Sequence, residues 1–164
     1  FQLTGYLSIK PSTTKSRKNL YEDYYLGEGN SLYFIKPLIF FDKNSLLKID
    51  FTFNNKDKIN SIVHSNASLF DEKIFGESDS IVFSVKNENF IYKDIKLLFK
   101  ERNSKNQFNS RYSFDLPLKD MIYIFSNDFI INVYLKNQKF EFKSTKKTQK
   151  KIDRLNNSIL IFYK

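Results

Sequence analysis

The sequence has no cysteine and no tryptophan, and only one methionine and one histidine among its 164 residues. Without cysteine there is no disulfide, no thiolate zinc site, no iron–sulfur cluster and no thiol nucleophile. A lone histidine, His64, leaves no multi-histidine metal centre. Alanine occurs once, at Ala67, glycine four times and proline three times. No apolar run approaches the ~20 residues of a membrane-spanning helix. The longest runs are residues 38–41 and 159–163, and the apolar stretch 121–135 is cut by Ser126, Asn127 and Asp128.

What is present is equally skewed. Lys, Phe, Asn, Ile and Tyr supply more than half of the chain, the residues that AT-rich codons favour. The charge is +9, from 27 basic against 18 acidic residues, with a mean hydropathy of −0.47. Apolar residues are 41% of the chain, which is globular composition at a length that suits a single domain, residues 1–164. Only Arg17, Arg102, Arg111 and Arg154 are arginines, and the planar arginine fork is the preferred reader of bases and phosphates. A basic balance carried by lysine is therefore weak support for nucleic acid.

Apolar residues recur mostly at period two, the mark of half-buried strands. Residues 1–9, 32–41, 47–54, 61–69, 80–86, 90–100, 108–116, 129–135 and 139–143 all read as strands, and Pro37 marks an edge or a bulge. Residues 80–86 and 90–100 read as one hairpin, and 129–135 with 139–143 as another closed by Asn137 and Gln138. Residues 117–125 read as a short helix started by Pro117. The strong helix is at 145–160, capped by Ser144 or Thr145, with Ile152, Leu155, Ile159 and Phe162 on one face. The expected fold is mainly β: a single antiparallel β-sandwich of about eight strands with that helix packed on it.

Catalytic patterns are absent. His64 has no carboxylate or nucleophile near it in sequence. The acidic pairs Asp71 with Glu72, Glu22 with Asp23, and Glu77 with Asp79 lack the spaced oxygens and glycine of a calcium loop. No cofactor, no metal and no enzymatic activity are expected. Two features remain. Tyr21, Tyr24, Tyr25 and Tyr33 flank the turn Gly27-Glu28-Gly29-Asn30, and tyrosines gather at interfaces as well as in cores. Lys146, Lys147, Lys150 and Lys151 form a basic helix face, which suits an anionic partner or plain solvation.

The run Asp50-Phe51-Thr52-Phe53, a turn, and Val63 through Asn66-Ala67-Ser68-Leu69 resembles a pattern in small, uncharacterised exported cell-envelope β-sandwich proteins of Bacteroidota, of the flavobacterial type. The closing hairpin and Lys-rich helix are similar too. The resemblance implies an accessory or structural subunit of an outer-membrane-associated complex, on the periplasmic face or at the surface after removal of a leader, peripheral to the membrane. The start at Phe1 fits that expectation, with a cytoplasmic location as the alternative. Asp79-Ser80-Ile81 matches the O-glycosylation pattern of such exported proteins, which makes Ser80 a candidate. Asn66 and Asn156 begin N-glycosylation triplets but fall in a strand and a helix. The competing readings are a Lys-rich nucleic-acid or ribosome-associated protein, a carbohydrate-binding sandwich using Tyr21, Tyr24 and Tyr25, and a small outer-membrane barrel.

Overall fold

The computed structural model describes residues 20–164. The strand expected over residues 1–9 lies outside them. Ten strands follow: β1 (Tyr21–Gly27), β2 (Asn30–Asp42), β3 (Ser45–Asn54), β4 (Ile62–Asp71), β5 (Ser78–Val85), β6 (Glu88–Tyr92), β7 (Lys96–Arg102), β8 (Phe108–Pro117), β9 (Phe129–Leu135) and β10 (Gln138–Ser144). Helix α1 (Leu118–Phe125) lies between β8 and β9, and α2 (Lys146–Asn156) follows β10. All the pairings are antiparallel.

In place of two packed sheets of about eight strands, the ten strands form one continuous sheet, ordered β6-β5-β9-β10-β2-β3-β4-β8-β7, with β1 added to β2. It curls as a half-barrel. The link that joins its two parts is short: β10 meets β2 only at Lys143↔Phe41 and Ser144↔Phe40. The curl brings distant strands face to face. Five strands separate β5 from β8 along the sheet, yet the rings of Phe83 and Phe114 are 6.4 Å apart.

Alternation places the core. In β3, Leu47, Ile49, Phe51 and Phe53 are buried, and in β4, Val63, Ser65, Ala67 and Leu69. The opposite residues of β4, Ile62, His64, Asn66 and Ser68, form the outer face. Each fully buried Leu, Ile or Phe contributes roughly 1.5–3 kcal/mol by leaving water. Helix α1 closes the inside: Phe125 meets Phe51 edge-on at 5.5 Å and stacks on Phe129 at 5.8 Å.

Three details of the chain path are now set. Residues 90–100 are not one arm. The segment Lys93-Asp94-Ile95 breaks the alternation, so β6 pairs with β5 while β7 pairs with β8 at the other end of the sheet. Pro37 does mark a bulge, where the β2–β3 register shifts between Ile35 and Leu38. On the side away from β3 it lies in a local gap, because β1 flanks only the first half of β2 and β10 only its end. Proline has no N–H to give a neighbour, and here the neighbour changes. The closing hairpin turns one residue earlier than expected, since Leu135 pairs with Gln138.

Thr145 caps α2, its hydroxyl accepting from the Thr148 amide at 3.1 Å. Ile152, Leu155 and Ile159 are buried on the sheet side as the period-3.6 pattern requires. The helix stops at Asn156 rather than near Leu160, and a 3-10 turn, Leu160–Tyr163, follows. Phe162 thereby leaves the apolar face and is 79% exposed. Among the described residues no helix is long and apolar enough to cross a membrane.

Candidate functional site

The four tyrosines of the β1–β2 turn do not act together. Tyr21 is buried at the inner face, with its ring 6.2 Å from Tyr33. Tyr33 in turn stacks on Phe53 at 5.2 Å. These two belong to the core. Tyr24 stands on the other face of β1, where its hydroxyl donates to Glu22 Oε2 at 2.5 Å. Lys36 lies 3.5 Å from the other Glu22 oxygen. The tyrosine hydrogen bond holds the Glu22 carboxyl below its ordinary pKa, and the same bond raises that of the Tyr24 phenol. Tyr25 alone is free-standing, 64% exposed, its hydroxyl accepting from the Gly29 amide at 3.4 Å. Gly27 and Gly29, both at positive φ, make this turn possible.

Beside that turn a cleft of about 680 Å³ opens at one end of the half-barrel. Tyr33, Tyr163, Phe162 and Ile59 supply its apolar surface, and Lys56, Lys58 and Lys164 its positive charge, against the one carboxylate of Glu28. Burial pushes the Tyr163 phenol up to about 12, with Tyr33 and Asn55 as side-chain hydrogen-bond partners. Asn55 also accepts from the Ser31 amide at 2.7 Å, which ties the 3-10 helix Asn55–Asn60 to the turn. Ile59 and Phe162 in the cleft wall are exposed, as are Tyr25 and Leu26 on the adjoining β1–β2 turn.

A second cleft, about 490 Å³, lies over the outer face of β4 and β8. Sequence order placed no carboxylate near His64, but the fold does. The β4–β8 register sets His64 opposite Asp115, and His64 Nδ1 lies 2.7 Å from Asp115 Oδ1. The next row pairs Asp50 with Asn66 and Asn66 with Ser113, and Lys96 stands opposite Ser113. Asn66 Nδ2 donates to Asp50 at 3.1 Å, Arg111 pairs with Asp50 at 3.0 Å, and Arg111 Nη1 donates to the Ser68 hydroxyl at 2.7 Å. Asp50 is only 4% exposed although it sits on the outer face. The strap Lys93–Lys96 bounds the cleft. Among the described residues no hydroxyl is hydrogen-bonded to His64, so this is a histidine–carboxylate pair rather than a relay to a nucleophile. Asp115 is the residue that sequence reasoning missed. Both partners alternate onto polar strand faces, but the pairing of strands 51 residues apart is set by the whole sheet.

The other candidates are scattered. Lys146, Lys147 and Lys150 of α2 are exposed and Lys151 is half-buried. Ser80 is half-buried inside β5, just after a register shift, rather than in an acidic loop. Asn66 is held by Asp50, and Asn156 donates to the Phe125 carbonyl at 2.6 Å. No group of three or more metal-ligating side chains occurs among the described residues. Comparison with family models, with known proteins and with solved structures finds no match to this chain.

Proposed function

We propose that this protein is a non-enzymatic accessory subunit that docks onto a larger cell-envelope complex through the end of the half-barrel carrying Tyr25, Leu26, Ile59 and Phe162. The observation that carries this reading is a lysine-rimmed cleft lined by the exposed Ile59 and Phe162, with the exposed Tyr25 and Leu26 next to it in sequence on the β1–β2 turn that supplies Glu28, Gly29 and Asn30 to its wall. Exposed apolar patches are costly in water and mark interaction sites. An aromatic centre with a polar rim is the usual anatomy of a protein interface. The placement in the envelope, peripheral to the outer membrane, rests on the compositional and patterning resemblance.

The docking element is narrower than the tyrosine cluster. Tyr21 and Tyr33 support it from behind, and Tyr24 faces elsewhere. The test uses the double variant Tyr25→Ser, Phe162→Ser. In native membrane extracts the wild-type chain should co-elute with a large assembly, while the double variant elutes alone with an unchanged melting temperature. Equal retention of both proteins refutes the reading. Retention that collapses steeply with salt and follows nucleic acid supports the lysine-based alternative instead.

A further inference from the structure

We infer that the cleft over β4 and β8 is a binding site for a neutral, polyhydroxylated ligand, a saccharide, held by His64, Asn66, Ser113 and Asp115. It is separate from the docking end and rests on different residues.

The first argument is charge. The chain carries +9, and the cleft at the docking end follows that sign, with Lys56, Lys58 and Lys164 against Glu28. The outer-face cleft does not. Lys93 and Lys96 are matched by Asp94 and Asp115, with a single histidine between them. An anion entering here meets two carboxylates, and a cation meets two ammonium groups. A ligand without charge that both donates and accepts hydrogen bonds meets neither penalty.

The second argument is preorganisation. Neighbouring strands are ~4.8 Å apart and same-face residues ~6.7 Å apart along a strand, so β4 and β8 present a fixed grid of polar side chains. Of these, His64 and Asn66 are each already oriented by one bond and keep further capacity. His64 is oriented through Nδ1 by Asp115, and Nε2 has no protein partner among the described residues. Asn66 is oriented through its amide nitrogen by Asp50, and its amide oxygen remains. Asp50 is itself fixed by Arg111. A nearly buried ion pair on the solvent side of a sheet adds little net stability over apolar side chains, but it does hold its neighbours in one orientation.

The third argument is shape. Ile91, 54% exposed, and Tyr92, whose ring packs on Phe83 and Phe114, line the same cleft. Tyr92 cannot swing away, because its hydroxyl donates to Asp120 at 2.9 Å. A sugar ring has polar edges and apolar C–H faces, and this cleft offers both kinds of surface. Its volume lies within the range of small-ligand sites.

The test is a titration of the isotope-labelled full chain by nuclear magnetic resonance. The probes are glucose, galactose, mannose, N-acetylglucosamine and cellobiose, with galacturonate and inorganic phosphate as anions. A neutral sugar should shift the His64 and Asn66 side-chain signals saturably. Asn66→Ala and Ser113→Ala should each weaken it about tenfold, the loss of roughly one well-placed hydrogen bond; Ser113→Ala should melt normally, whereas Asn66→Ala also takes a donor from the Asp50 carboxylate and should melt somewhat lower. Asp115→Asn, which keeps the shape, provides a third reading should an alanine variant fail to fold. Tyr25→Ser should leave sugar binding unchanged, which separates this site from the docking end. The inference is overturned if no neutral sugar shifts these signals, if galacturonate or phosphate binds here in preference, or if sugar binding survives all three variants.

Discussion

The Thr148 hydroxyl donates to the main-chain carbonyl of Ile39 across 2.6 Å. The contact joins the first turn of α2 to the middle of β2, at a weak place in the sheet. On this side of β2, β1 reaches Ile35 and the Leu20 carbonyl accepts from Lys36, while β10 begins only at Phe40. Pro37 has no amide proton to offer in between. The helix thus covers a gap that no described strand fills, and Thr148 is 3% exposed there.

Thr148→Val tests this role. The substitution keeps the branched shape and removes the hydroxyl, leaving the Ile39 carbonyl short of a donor. A loss of about 1–3 kcal/mol is expected, the cost of a buried polar group left unpaired. It should appear as a lower denaturant midpoint with an unchanged slope. An unchanged midpoint would mean that water satisfies this carbonyl and that the helix is held by its apolar face alone.

How far the sequence disclosed this molecule depends on the distance over which each feature is decided. Alternation in residues 47–53 and 63–69 is local; it is enough to turn Leu47, Ile49, Phe51 and Phe53 inward, and in β4 it separates two faces without saying which is buried. The α2 face carrying Ile152 and Leu155 is equally local, as is its cap at Thr145. The curl is not local. It depends on a link of two residue pairs between β10 and β2, and nothing in either strand's composition distinguishes that link from a break between sheets. The break at Lys93-Asp94-Ile95 is also set by tertiary context, since β6 and β7 go to opposite ends of the sheet. The sites follow the same rule. Clustering in sequence grouped four tyrosines that the strand then divided between two faces, and the His64–Asp115 pair needed the register of β4 against β8.

Asp50 and Arg111 offer a second stability test. Asp50 is nearly inaccessible, and its carboxylate has the Arg111 guanidinium and the Asn66 amide as partners. Arg111→Ala removes the cation and leaves the carboxylate with one neutral donor. Breaking a fully buried pair costs about 3–5 kcal/mol, and the partial exposure of Arg111 lowers the expected loss to about 2 kcal/mol. The double variant Asp50→Asn, Arg111→Met removes both charges and should recover more than half of that loss. Calorimetric melting of the three proteins checks the order. A double variant less stable than Arg111→Ala alone would show that the carboxylate is stabilised by something other than its charge partner.

Alkaline pH probes the tyrosines. Burial pushes the Tyr112 phenol up to about 12, and its hydroxyl donates to the Gly76 carbonyl at 2.6 Å. Tyr163 is likewise pushed up to about 12 by burial, and Tyr92 is raised by burial and by its bond to Asp120. In the unfolded chain these phenols ionise near pH ~10. Each therefore favours the folded state fully below pH 10, where both states keep the proton. Between pH 10 and about 12 the unfolded chain releases protons that the folded chain retains, so stability falls as pH rises. Tyrosinate absorbance should consequently include a steep rise that coincides with loss of β-structure in circular dichroism. Tyr112→Phe cannot ionise. At neutral pH it should be less stable by about 1 kcal/mol for the lost hydrogen bond, yet its stability should decline less between pH 10 and 12 than that of the wild type. Parallel alkaline decline in the two proteins would mean that the Tyr112 phenol ionises as readily folded as unfolded, and that its contact with Gly76 opens before the sheet does.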